Sequence, residues 1–217
     1  GKGSVCAYLT TILMKGGYKV GTFTSPYLVR FNERIRYQFE EIEDQELFEL
    51  IHTIYTFNQT FEKSYGESLS FFELLTLMSL YYFDRKKVDV IVMEVGIGGL
   101  LDATNILNYD VSLITSIGFD HMKQLGNTLQ SIASNKLGIL KYGNHLITTV
   151  DASLHRYFKN YVKKVAATAE YYSKKDVKKI SDIPLKFEYD GQVYELALIG
   201  EYQLANALLA IKAIEYL

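Results

Sequence analysis

Cysteine is almost missing from this chain: Cys6 stands alone, which excludes an internal disulfide and suits a reducing cytoplasm. Charge of one sign is missing too. The formal net charge is −2, so bulk electrostatics give no case for nucleic acid as a partner. No apolar run is long enough to span a bilayer, and no signal-peptide pattern opens the chain. A cytoplasmic protein with no membrane segment is therefore expected. Internal repeats and low-complexity linkers are also absent. Tryptophan is lacking while tyrosine abounds, an imbalance from which no function follows. What remains is an ordinary globular composition, 48% hydrophobic and 22% charged, over 217 residues, enough for one large domain.

What is present is organised around residues 88–105, VDVIVMEVGIGGLLDATN. The short apolar run 90–93 stops at one carboxylate, Glu94. Such a run suits a strand buried on both faces, as in a parallel sheet. Ligands of open parallel sheets bind at the carboxyl ends of the strands, where Glu94 lies. The plain reading is a strand ending in a surface turn with a solvated glutamate; the functional one is a carboxylate aimed at a bound cation. Gly96, Gly98 and Gly99 would let backbone come close to a ligand.

At the start, Gly1-Lys2-Gly3-Ser4 precedes an apolar-periodic segment, 5–14, closed by Gly16-Gly17, which predicts a helix with a glycine stop. A glycine loop with lysine and a hydroxyl at a helix start is how a P-loop holds phosphate. Only the last part of that loop is here, and a P-loop also needs a strand before it. Residues 18–24 predict a strand ended by Ser25-Pro26. Residues 27–36, YLVRFNERIR, read as an exposed loop. It is either an ordinary surface segment or a platform for a flat anionic ligand, with Arg30 and Arg34 for carboxylate and Tyr27 and Phe31 for a ring.

Asp44 is placed as the cap of a helix running to about residue 62. Ser70 and Glu73 form a capping box for another, to about residue 86, with Phe72, Leu75, Met78, Ser79, Tyr82 and Phe83 on its core face. His52, with no partner nearby in sequence, reads as structural or exposed. Residues 111–115 predict a buried strand followed by Ser116-Ile117-Gly118-Phe119-Asp120-His121, where a histidine after an aspartate is either an ordinary side chain or a metal ligand. Thr128 caps a helix to about residue 139. Its Lys136, on residue type alone, would snorkel to solvent. A strand over 145–150 and a basic-faced helix over 152–167 follow. Asp190-Gly191 between 185–189 and 193–198 signals a hairpin. In the last helix, from about residue 203, Gln203 and Asn206 share a face; two amides there suit either an adenine edge or a polar first turn. The alternation of buried strands with helices gives an α/β fold: a mainly parallel, P-loop-type sheet with helices on both faces, plus a small antiparallel hairpin near the carboxyl end.

The segments GKGS, FTSPYLVRFNERI, EVGIGGLLDATN, ITSIGFDHMKQLG, NKLGILK and GEYQLANALLAI, taken in this order, resemble the folylpolyglutamate synthases and the related dihydrofolate synthases of the Mur ligase superfamily. The resemblance covers essentially the whole chain. It implies ATP-dependent amide ligation: ATP phosphorylates the carboxylate of a folate or dihydropteroate, and the amine of L-glutamate attacks the acyl phosphate. By the same resemblance Gly1, Lys2, Gly3 and Ser4 cradle the ATP phosphates, and Gln203 and Asn206 contact the nucleotide. Ser4 and Glu94 bind one Mg²⁺, with Ser25 at metal or phosphate, and His121 binds a second. Lys136 corresponds to a lysine that the family carbamylates, which turns a cation into a metal-facing carboxylate and replaces the solvated reading. Glu94, His121 and Lys136 are then the catalytic set. Ser25, Pro26, Tyr27, Arg30, Phe31, Asn32, Arg34 and Asp120 belong to the folate site.

The chain departs from the common pattern at four places: Leu100 stands for Arg, Tyr27 for His, Asn135 for Glu and Tyr202 for His. The resemblance further implies that residues 1–217 are the central ATP-binding domain of a longer, monomeric enzyme, cut at both ends and inactive alone. Two other readings remain: a Mur-type amide ligase acting on another acid, and a non-catalytic nucleotide-binding fragment.

Overall fold

The computed structural model describes residues 1–119 and 121–217. In chain order the elements are helix α1 (Lys2–Lys15), strands β1 (Val20–Phe23), β2 (Ile35–Tyr37) and β3 (Glu40–Glu41), helices α2 (Asp44–Tyr65) and α3 (Phe71–Lys86), strands β4 (Val90–Met93) and β5 (Val111–Ile114), helices α4 (Met122–Leu125) and α5 (Leu129–Leu137), strand β6 (His145–Thr148), helix α6 (His155–Lys164), strands β7 (Thr168–Tyr171), β8 (Lys178–Asp182), β9 (Leu185–Tyr189) and β10 (Gln192–Leu196), and helix α7 (Tyr202–Tyr216). They divide into two compact units. One comprises Gly1–Leu9, Ile97–Leu101 and Leu107–Leu217; the other comprises Thr10–Gly96 and Asp102–Ile106.

In the first unit β5, β6 and β7 pair in parallel with β6 in the centre. All four β6 residues are buried, as a strand covered on both faces requires. Its period-2 alternation separates two cores. Leu146 and Ile114 pack with Ala133, Leu137, Phe158 and Val162 of α5 and α6. Ile147, on the opposite face, packs with Val5 of α1 and Leu209 and Ala213 of α7. Parallel strands with helices on both faces are thus present, as the sequence predicts. The Asp190-Gly191 turn joins β9 to β10 in register Tyr189↔Gln192, and β8 completes an antiparallel sheet. Asp190 and Gly191 both have positive φ, the requirement of a type I′ hairpin turn.

In the second unit the sheet order is β3-β2-β1-β4; β1 and β4 are parallel, and β2 and β3 antiparallel. Phe23 and Ile35 join Leu50 and Ile54 of α2 and Leu75, Met78 and Phe83 of α3 in its core. Three details differ from the sequence reading. Strand β4 is not buried throughout: only Val92 is, because β4 is the end strand of this sheet. The fully buried strand is β1. Asp44 is the first helical residue of α2 and Glu43 its N-cap; the Asp44 carboxylate is turned instead to Asn32 and Arg30. The segment 27–36 is not all loop, since its end becomes β2. The Ser70/Glu73 capping box of α3 forms as expected. Among the described residues no helix is long and apolar enough to cross a membrane.

Candidate functional site

Gly1 to Ser4 lie at the start of α1, with Lys2, Gly3 and Ser4 as its first helical residues. The N–H groups of a first turn have no intrahelical acceptor, and the helix dipole adds partial positive charge there. No acidic side chain occupies this turn, and a helix start of that kind suits an anion. From α7, the buried Gln203 donates its Nε2 to Ser4 Oγ at 3.3 Å. The Gln203 carbonyl oxygen accepts from Asn206 Nδ2 at 2.9 Å and from the Tyr8 hydroxyl at 3.5 Å. Residue spacing anticipated the Gln203–Asn206 pairing. It did not single out Tyr8, although Tyr8 lies four residues after Ser4 and so on the same helix face. Burial, with Tyr202 nearby, pushes the Tyr8 phenol up to about 12, so it keeps its proton, and its capacity to donate, across the physiological range.

The glycine segment 97–101 packs on the carboxyl end of α5. Leu100 N–H donates to Asn135 O at 2.9 Å. A side chain at Gly99 would meet Asn135 O at 3.0 Å, Lys136 O at 2.9 Å and Ile139 Cγ2 at 2.7 Å. Gly98 has φ +76° and would meet Leu125 at 2.8 Å. The sequence reading gave these glycines to a ligand; in the structure Gly98 and Gly99 let the segment reach the turn that carries Lys136. Lys136 itself is half-buried in the last turn of α5, where the negative end of the dipole favours a cation. His121 is exposed at the N-cap of α4, with φ +50°, a left-handed conformation that costs a non-glycine residue free energy but that histidine adopts more readily than most. Asp120, assigned to the folate site from the sequence, lies outside the described residues.

In the second unit, parallel pairing aligns Phe23 with Met93, so Ser25 and Glu94 leave the same carboxyl edge. Glu94 is buried, not solvated, and its Oε2 accepts the backbone N–H of Ser25 at 3.2 Å. In the following segment, which Pro26 opens, the guanidinium of Arg34 lies 5.1 Å from the Tyr27 ring centroid and 5.8 Å from that of Phe31. Those two rings meet edge-to-face at 6.0 Å. Arg34 Nε is buried with no partner among the described residues, a donor in need of an acceptor. Arg30 pairs with Asp44 at 3.0 Å. Asn32 is buried and donates to Ile42 O at 2.7 Å and Asp44 Oδ1 at 2.8 Å, which fixes the shape of the segment. Sequence reasoning passed over Glu33, whose carboxylate accepts the backbone N–H groups of Leu28, Val29 and Arg30 at 2.8–2.9 Å. These donors hold its carboxyl below the usual range. Its place three residues after Arg30 is the spacing of a capping glutamate, the one signal that pointed to it.

No group of three or more His, Cys, Asp or Glu side chains clusters as a metal site among the described residues. Magnesium does not need one: it binds through one or two protein oxygens and completes its shell with water and phosphate. The Glu94 carboxylate beside Ser25 in one unit, and the Ser4 hydroxyl in the other, are hard oxygen donors that fit this ion.

The family profile of the Mur ligase middle domain matches residues 1–214. The chain is 35% identical to a dihydrofolate synthase/folylpolyglutamate synthase of Bacillus subtilis, over 100% of the chain and 53% of the relative. A solved FPGS–AMPPCP–folate complex superposes with TM-score 0.90 at 30% identity, over 99% of this chain and 55% of the other. A bifunctional folylpolyglutamate synthase/dihydrofolate synthase with Mn, AMPPNP and L-glutamate bound gives TM-score 0.79 at 31% identity, over 99% and 51%. The chain thus spans about half the length of these proteins.

Proposed function

We propose, on the premise that the chain belongs to the Mur ligase middle-domain family, that it carries the nucleotide and metal machinery of an ATP-dependent ligase joining L-glutamate to the carboxylate of a folate or dihydropteroate. The observation that carries this reading is the first turn of α1. It holds Lys2 and no acidic residue, and the buried Gln203 amide grips its Ser4 hydroxyl. The relatives that hold AMPPCP with folate, and AMPPNP with Mn and L-glutamate, support the same substrates here.

In the reaction, a folate carboxylate oxygen attacks the γ-phosphorus of ATP, and the bond to the ADP oxygen breaks. The glutamate nitrogen then attacks the acyl carbon, loses a proton and expels phosphate. The N–H groups of Lys2, Gly3 and Ser4, next to Gly1, take the phosphate oxygens, and the Lys2 ammonium offsets their charge. In one unit Ser25 and Glu94, and in the other Ser4, would each offer an oxygen to magnesium, and His121 would offer an imidazole to an ion. Bound magnesium supplies neutralisation of the charge that develops on the transferring phosphoryl group. Lys136 acts as its carbamate, an anionic oxygen donor. In the folate segment, the Tyr27 and Phe31 rings offer a flat apolar face, and Arg34, with its unpartnered Nε–H, offers charge to a carboxylate. Asn32, Arg30 and Glu33 hold that segment in shape. Gln203 and Asn206 belong to the nucleotide half.

Titration with Mg·ATP tests the phosphate assignment. Lys2→Ala weakens binding by roughly tenfold or more, the size of one charge-assisted contact. Unchanged affinity in a folded Lys2→Ala variant would remove the P-loop reading.

A further inference from the structure

Gln203 and Asn206 invite the role of base readers, since paired amides can match an adenine edge. Their burial says otherwise. Gln203 is 4% and Asn206 5% exposed, and the polar atoms of the Gln203 amide are directed at protein groups. Its oxygen accepts from Asn206 and from Tyr8; its nitrogen therefore faces Ser4. Flipping the Gln203 amide alone would set its NH₂ against the Asn206 NH₂, so the two amides share one orientation, and in it Nε2 of Gln203 faces Ser4.

We infer that Gln203 is a positioning residue that acts through the Ser4 hydroxyl, and that Tyr8 and Asn206 lock it in the orientation that does so. The inference rests on the nucleotide-binding reading above and specifies how one of its residues works. A serine hydroxyl has two lone pairs and one proton. Donation from Gln203 Nε2 occupies one lone pair. It also forbids the Ser4 proton from pointing at Gln203, because that nitrogen has no lone pair to offer. One lone pair is left for a cation, and the proton is left for an acceptor such as a phosphate oxygen. The amide thus pre-sets the rotor of a metal ligand, a role for which second-sphere hydrogen bonds are suited. Tyr8 serves the same end from within α1: its phenol, which stays protonated, is the second donor to the Gln203 oxygen.

A base-reading amide and a hydroxyl-setting amide differ in metal dependence. Dissociation constants for ATP are measured by calorimetry with saturating Mg²⁺ and again with EDTA, on the full-length protein and on Gln203→Met, Ser4→Ala and the double variant. GTP serves as a base control. Loss of the hydrogen bond that orients a charged site is expected to weaken Mg·ATP binding roughly tenfold in Gln203→Met. ATP affinity in EDTA should change less than twofold, Ser4→Ala should show the same pattern, and the double variant should lose nothing more, because the two act as one unit. Tyr8→Phe keeps the ring and gives the same sign at about threefold, which carries the test if circular dichroism shows Gln203→Met to be misfolded. An equal loss with and without metal, additive with Ser4→Ala, or a changed ATP-to-GTP ratio would overturn the inference while leaving the nucleotide reading intact. Absence of any ATP binding by the unaltered protein would overturn that reading first.

Discussion

The backbone N–H of Ser25 donates to the carboxylate of Glu94 at 3.2 Å, which joins the ends of two parallel strands that lie far apart in sequence. A glutamine at position 94 keeps an acceptor for that N–H and loses the charge. Glu94→Gln should therefore melt within a few degrees of the unaltered protein. Its metal-dependent turnover should fall a hundred- to a thousand-fold, the usual cost of one preorganised electrostatic group. Steady-state ADP release and a thermal melt on the same preparation check both halves. Full turnover would remove Glu94 from the metal site.

Lys136 gives a different signature. An amine cannot ligate magnesium, whereas a carbamate can through its oxygens. In the proposed carbamate role its contribution would belong to the transition state, so Lys136→Ala should lower turnover by about a hundred-fold or more and leave ATP affinity nearly unchanged. Bicarbonate should raise the activity of the unaltered protein, and short carboxylates should partly rescue the variant. Unchanged turnover at saturating ATP and folate would return Lys136 to the status of a solvated helix residue.

The glycine segment can be probed through stability. At Gly99 an added methyl group meets two backbone carbonyls, of Asn135 and Lys136, and Ile139. Backbone does not give way as a side-chain end does, so Gly99→Ala should cost about 1–3 kcal/mol in urea unfolding. At Gly118 nothing among the described residues lies within 4 Å of such a group, and Gly118→Ala should be close to neutral. Equal effects at both positions would contradict the packing of 97–101 against α5.

Glu33 ties the segment that follows Pro26 to pH. Its folded-state pKa lies below the ordinary value because Arg30, Leu28 and Val29 donate to it. The stabilisation is therefore complete above the unfolded-state pKa of about 4.3 and is lost as pH falls through the lower folded value. Amide hydrogen exchange at residues 28–30 should be slow from pH 7 to 5 and rise relative to the intrinsic rate below about pH 4. In Glu33→Gln it should be fast already at pH 7. A pH-independent protection pattern would show that the carboxylate does not hold the turn.

Much of this was readable in the residues. Period and punctuation placed α1, α3, α5 and the 185–198 hairpin, because each carries a local stop or cap: Gly16-Gly17, the Ser70/Glu73 box, Thr128, Asp190-Gly191. Strands β2, β7 and β8 were not foreseen. Their side chains do not alternate strongly, and what makes them strands is a partner already in place: β1 for β2, β6 for β7 and β9 for β8. The same holds for side chains. Asp44 looks like a helix cap by sequence and serves Asn32 and Arg30 because β2 and β3 bring the 30–34 segment back to it. Tyr8 shares a helix face with Ser4, but its partner is Gln203, 195 residues away, which spacing along α1 does not show.

The most direct measurement is ADP formation by the full-length protein with Mg·ATP and either dihydropteroate or tetrahydrofolate, each with and without L-glutamate. The proposed ligase forms ADP that depends on both the folate-type acid and glutamate, one ADP for each amide made. ADP formation that ignores both would show that these residues hold a nucleotide for some purpose other than joining glutamate to a folate.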